Sequence, residues 1–448
     1  MNLKKWLFGS VSDAERNVSN GRSDTGVCHV EGQGLAKDDV EVVKRYAEQN
    51  DAQAEFLLGG AYANGLGVPK DQAEAVKWWR RAAEQNVAIA QFSLGVCYDN
   101  GQGVVKDAVE AVKWYCKAAE QDYAEAQFNL GRCYFTGQGV PEDQVVAVRW
   151  YRKAAAHNLP EAQFNLGCCY ANGQGIAKDE VEGVRWYRKA AEQNVAIAQF
   201  NLGGCYHFGL GVGKNDVEAV KWYRKAAEQN VAIAQFNLGL CYDKGRGVVK
   251  DVVEAVKWYR KAAEQNVAIA QFNLGVCYDK GQGVTKDEVE AVKWYRKAAE
   301  QNYAEAQCKL GDCYYFGLGV AKNDVEAVWW YCRAAEQNIA VAQCNLGNCY
   351  AVGQGVAKDE VEAVKWLRKA AEQNLAQAQN NLACCYFIGR GVAKDEVDAY
   401  KWSCLAAAQG DERAQGQLRI LQGLMTPDEV SEAKRRVEEY KARLVPAS

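Results

Sequence analysis

Seventeen cysteines and three histidines, His29, His157 and His207, are the side chains best suited to redox or metal chemistry in this chain of 448 residues. Their spacing argues against both uses. The cysteine count is odd, and no Cys-x-x-Cys occurs to suggest zinc or thiol exchange. Nine cysteines, Cys97, Cys133, Cys169, Cys205, Cys241, Cys277, Cys313, Cys349 and Cys385, recur at one step of 36 residues. Equivalent positions in stacked helices would lie about 8 to 10 Å apart, beyond the Cα separation of a disulfide. Ala61 fills the same slot one step earlier, so the position asks for a small core residue, a role that free cysteine suits. Cys116, Cys332 and Cys404 stand where a second-helix surface Arg is usual, and Cys308 and Cys344 replace a Phe. Thiols kept reduced point to the cytoplasm. The histidines share no i, i+4 spacing, so a metal cluster is not expected. The sequence calls for no catalytic residue, no cofactor and no metal.

The step of 36 organises the whole chain. Gly-x-Gly pairs begin at Gly65, Gly101, Gly137, Gly173, Gly209, Gly245, Gly281, Gly317, Gly353 and Gly389, and ten of the thirteen tryptophans, from Trp78 to Trp402, keep the same step. A degenerate copy precedes them, with Gly32 and Gly34 and with Arg45 in the tryptophan's place. A period of this size marks a repeat array, not the three globular domains that length alone suggests. Each unit carries two amphipathic patterns. Ala90, Leu94, Cys97 and Tyr98 lie on one face of a first helix. Asp71 and Glu74 resemble a capping box opening a second helix that buries Ala75, Trp78, Trp79, Ala82 and Ala83. Asn86, Asn194, Asn230 and Gly410 sit where a helix end wants a left-handed residue. Lys plus Arg (54) against Asp plus Glu (57) leaves a formal charge of −3, which gives no broad footprint for nucleic acid. No apolar run is long enough for a membrane span.

The succession Ala88-x-Ala90-x-x-x-Leu94-Gly95-x-x-Tyr98, then Gly-x-Gly-Val, an acidic cap and Ala-Val-x-Trp-Tyr-x-x-Ala-Ala, resembles the Sel-one-like repeat (SLR) family, α/α solenoids related to tetratricopeptide repeats. The resemblance implies an all-α, right-handed superhelical solenoid of about ten to eleven helix-turn-helix repeats that acts as an adaptor for protein partners. The expected organisation is a loose segment over 1–25, a degenerate repeat over 26–51, ten repeats over 52–410 and capping helices with a tail over 411–448. Thr426, Pro427 and Glu429 open the last helix. Lys4 and Lys5 precede too few apolar residues for a signal peptide. Ser431-Glu-Ala-Lys434 matches the Ser-x-x-Lys of penicillin-recognising enzymes but stands without Lys-Thr-Gly or Ser-Asp-Asn, so a cell-envelope hydrolase is the weaker alternative. The Gly-x-Gly pairs follow helices, not strands, and read as turns.

Copies of one duplicated unit differ mainly where stacking does not fix the residue. Ile89, Ser93, Val96 and Asn100 mark such positions on one face of the first helix, and later units place Arg132, Phe208, Asp312 and Phe316 there. In related solenoids the first helices line the concave surface, which makes this stripe the expected binding groove. One member barely changes: Asn129, Asn165, Asn201, Asn237, Asn273, Asn345 and Asn381 repeat at 36 or its multiple, with Lys309 interrupting. An amide offers a donor and an acceptor to the backbone of a bound peptide, and equally to a neighbouring helix end. The expected partner is an extended segment or a helix of another protein, with the Lys309, Asp312 and Phe316 unit setting specificity. The alternative is a spacer with no groove ligand.

Overall fold

The computed structural model describes residues 37–444, with 23 helices and no strand among them. The expected loose segment and the Gly32–Gly34 turn lie outside the described residues. The chain divides into two compact units, Met1–Val231 and Ala232–Ser448. Each is a succession of helix pairs in which a first helix packs on the second helix of its own repeat, and that second helix packs on the next first helix.

The repeat that begins at Ala88 shows how the sequence builds this. The first helix, Ala88–Asn100, ends at Gly101, whose left-handed φ of 73° lets its N–H reach the Cys97 carbonyl at 2.8 Å. The second helix, Ala108–Glu120, opens on Asp107, whose Oδ1 accepts from the N–H groups of Val109 and Glu110, both at 3.0 Å. Leu94 and Cys97 are buried with Trp79 and Ala82 of the preceding second helix, and Tyr115 and Ala118 with Phe92 and Val96 of their own first helix. Gly95 lets the two helices meet, because a Cβ there would stand 2.7 Å from the Tyr115 ring. The other close approach joins repeats. Gly103 has φ +70° and a Cβ on it would meet the Gln72 carbonyl oxygen at 2.1 Å, so the turn is seated on the first residue of the preceding second helix.

Second helices leave through a residue in the left-handed region. Asn50, Asn86, Asn158, Asn194, Asn230, Asn266, Asn302, Asn338 and Asn374 have φ between 62° and 67°, Asp122 has 65°, and Gly410 has 90°. One expectation about caps is corrected. Glu74 does not return to the Asp71 N–H; that donor goes to the Tyr62 carbonyl at 2.9 Å, and Glu74 pairs with Lys77. The turn brings the preceding helix end to the cap, so the reciprocal half of a capping box has no donor left to satisfy. Trp79 is buried as expected, whereas Trp78 is only half-buried, with the Arg81 guanidinium over its ring.

At the far end Glu412–Leu424 continues the series one step after Ala376–Ile388. The helix Pro427–Leu444 follows, with the Glu429 carboxylate accepting from both the N–H and the hydroxyl of Thr426 at 2.8 Å. It covers the last repeat: Ala433 and Val437 are buried, Tyr440 packs edge-on to Trp402, and Arg436 pairs with Asp398 at 2.8 Å.

Candidate protein-binding face

The second, sixth, ninth and last residues of the first helices share one face, whose ninth position meets the tyrosine of its own second helix, as Cys168 meets Tyr187 and Asp312 meets Tyr331. In the unit Met1–Val231 the sixth residues Asn129, Asn165 and Asn201 are half-buried beside the tyrosines of the preceding second helices, Tyr115, Tyr151 and Tyr187, the last of which donates its hydroxyl to Cys168 Sγ at 3.4 Å. Burial pushes these three phenols far above the usual tyrosine range, so the hydroxyls stay neutral at physiological pH. Arg132 is exposed and reaches back to Asp99, itself almost buried, at 2.8 Å. Phe208 is 69% exposed, edge-on to His207, whose Nδ1 lies 2.8 Å from Asp216.

In the unit Ala232–Ser448, Asn237 and Asn273 are half-buried on the same face. Lys309, Asp312 and Asn345 come together. Asp312 accepts from the Tyr331 hydroxyl at 2.8 Å and from Asn345 Nδ2 at 3.2 Å, with Lys309 Nζ 3.6 Å away. Burial pushes the Asp312 carboxyl above the usual range, against the pull of Tyr331 and Lys309. Asn381 donates to Asn348 at 2.9 Å. Phe316 stands clear of the cluster, exposed and edge-on to Tyr315.

The stripe is not open throughout. Ile89, Ser93 and Val96 are buried, Ile89 in a cluster with Phe56 and Trp79 of the preceding repeat and Val96 in one with Tyr115 and with Leu130 of the next, while Arg132 of the next repeat bonds Asp99. Periodicity marks a position as variable but does not say whether the apolar side chains of the neighbouring repeats close over it.

A second row of amides carries no mark in the sequence reading and proves structural. Gln91 is 2% exposed; its Nε2 donates to the Ala83 carbonyl and the Asn86 side chain, both at 3.1 Å, and its Oε1 accepts from Gln121 Nε2 at 2.7 Å. Gln199, Gln271, Gln307, Gln343 and Gln379 repeat the buried arrangement. Its near-constancy is the available signal, since a polar residue kept in every repeat but one inside an apolar helix face has a fixed set of partners. In the repeat starting at Ala52 the slot holds Glu55, fully buried and paired with Arg81 at 2.8 Å.

The described residues contain no group of side chains placed to hold a metal ion and no helix long and apolar enough to cross a membrane. No disulfide joins the described cysteines. Ser431 donates to the Pro427 carbonyl of its own helix at 2.9 Å.

The Sel1 repeat model matches ten consecutive segments, from 52–87 to 376–411. The chain is similar to a protective antigen of uropathogenic Escherichia coli displaying an SLR fold, with 36% identity, 98% of this chain and 94% of that one covered, and a TM-score of 0.86. A Sel1 repeat protein from Oxalobacter formigenes is 32% identical over 75% of this chain and 99% of its own, with a TM-score of 0.54. No curated protein matches.

Proposed function

Since the chain belongs to the Sel1 repeat family, whose solenoids are typically protein-interaction scaffolds, we propose that it is a non-enzymatic adaptor whose first-helix face binds a polypeptide of another protein. The observation that carries the reading is the contrast along that face. Its sixth position is nearly constant as asparagine, while its neighbours change from Arg132 to Asp312 and from Phe208 to Lys244 without disturbing the fold. A constant amide with unused hydrogen-bonding capacity suits a peptide backbone, and the changing neighbours suit selection among side chains. The near-neutral charge favours protein over nucleic acid as the partner, and we assign the protein to the cytoplasm on its abundance of thiols.

Partner capture followed by mass spectrometry, using wild type and the triple variant Asn201→Ala, Asn237→Ala, Asn273→Ala, tests this. Loss of partners at an unchanged circular dichroism spectrum supports it. An unaltered partner list with a lowered melting temperature assigns the asparagines to holding repeats together and refutes it.

A further inference from the structure

One second helix departs from its neighbours on the side away from the core. In Glu288–Glu300 and Glu360–Glu372 the third residue pairs with the sixth: Glu290 with Lys293 and Glu362 with Lys365, both at 2.8 Å. Between them, Asp324–Glu336 carries Trp329 as its sixth residue. Trp329 is 48% exposed and stands edge-on to Trp330, with 4.3 Å between ring centroids. Folding does not ask for an indole here, because lysine fills the place on both neighbouring helices. The exchange strands two charges. Glu326 loses the cation it would have paired with and is exposed, where Glu290 and Glu362 are half-buried, and it pairs with no cation among the described residues. Arg333 lies over the Trp329 ring, 4.9 Å from its centroid, and pairs with no carboxylate among the described residues. An exposed tryptophan costs solubility, and Trp and Arg are the side chains that most often anchor protein contacts.

The order of these three residues selects the occupant. Glu326 and Arg333 are seven residues apart, about two turns and 10.5 Å along the axis, with Trp329 midway and on the same face. A charge of each sign at equal distances from an apolar centre is complementary to itself when reversed end to end, which is what a contact related by a two-fold axis requires. We propose that Asp324–Glu336 is the contact surface for a second copy of this chain, the two helices antiparallel across a two-fold at Trp329. Glu326 of each copy then faces Arg333 of the other, and the two Trp329 rings meet between the charge pairs. Parallel docking would instead set Glu326 against Glu326 and Arg333 against Arg333. The contact is independent of the adaptor reading, which concerns the first-helix face and a polypeptide of another protein.

Sedimentation equilibrium of the full chain over about a hundredfold range of concentration tests this. The wild type is expected to pass from the chain mass to twice that mass as concentration rises. Trp329→Lys restores the usual pair with Glu326 and should weaken the dimer by about tenfold or more without lowering the melting temperature. Glu326→Arg and Arg333→Glu each set like charges opposite one another and should each weaken it by about tenfold or more. Mixed in equal amounts, these two variants should associate with each other, because every facing pair then joins opposite charges. The double variant Glu326→Arg, Arg333→Glu should dimerise again for the same reason. A wild type that stays monomeric at every concentration overturns the proposal. So does a dimer that survives Trp329→Lys, or two charge variants that remain monomeric when mixed.

Discussion

Gln121 Nε2 donates to Gln91 Oε1 at 2.7 Å, joining the end of a second helix to the buried first turn of its own first helix. Gln121 also donates to Asn86 of the preceding repeat at 3.1 Å, so three amides bind two repeats together. One repeat breaks the pattern: Asp122 and His157 stand where Asn and Gln are usual, paired at 3.0 Å, and Gln127 Oε1 is buried with no hydrogen-bond partner. The His157 hydrogen bond holds the Asp122 carboxyl below its usual range.

Restoring the pattern with Asp122→Asn and His157→Gln supplies the missing donor to Gln127. The double variant should gain about 1 kcal/mol in urea unfolding, the worth of one buried hydrogen bond. An unchanged or lowered midpoint would show that the amide cluster does not hold the repeats together.

The buried Glu55 makes the first repeat sensitive to pH. Desolvation pushes its carboxyl up, against the pull of Arg81 and Gln85. A raised folded value means that its contribution is fully present below the ordinary glutamate range near about 4.3 and is lost as pH rises through the folded value. Glu55→Gln should therefore lose ground to wild type at about pH 4 and gain on it towards about pH 7, read from melting temperatures across that range. A constant difference between the two proteins contradicts the assignment.

Gly103→Ala forces a side chain into the left-handed region and against the Gln72 carbonyl. It should cost more than about 2 kcal/mol, by strain and by parting two repeats. Gly213→Ala, with nothing within 4 Å of its Cβ, serves as the control and should change stability by less than about 0.5 kcal/mol. Equal effects would contradict the seating of each turn on the preceding repeat.

The thiols carry a prediction about compartment. Titration under denaturing, non-reducing conditions should find all seventeen cysteines free. In the folded protein, burial pushes the Cys133 thiol up to about 11 and the Cys169 thiol up to about 12, so both should react only after unfolding, while half-exposed Cys116, Cys332 and Cys404 react first. Substantially fewer free thiols on denaturation would contradict the cytoplasmic assignment.

The helix pairs, the glycine turns, the left-handed asparagines and the final cap were legible in the sequence because each depends on residues a few positions apart. What escaped depends on residues in other helices. Glu74 reads as a capping partner until the Tyr62 carbonyl takes the donor it would have served. Ile89 and Val96 read as part of the binding stripe until the apolar residues of neighbouring repeats close over them, and Gln91 carries no mark until its partners 8 and 30 residues away are in place. Of the candidate site, the period picked out the row of asparagines, whereas the bonds of Asn345 to Asp312 and of Asn381 to Asn348, each on the preceding first helix, required the fold.

Site-specific photo-crosslinking tests the central claim most directly. A photoreactive side chain is placed in turn at Asn165 or Asn273, on first helices, and at Lys221 or Lys293, exposed on second helices. The adaptor account predicts partner adducts from the first-helix positions and none above background from the second-helix positions. Adducts confined to Lys221 and Lys293, or equal from all four, would contradict it.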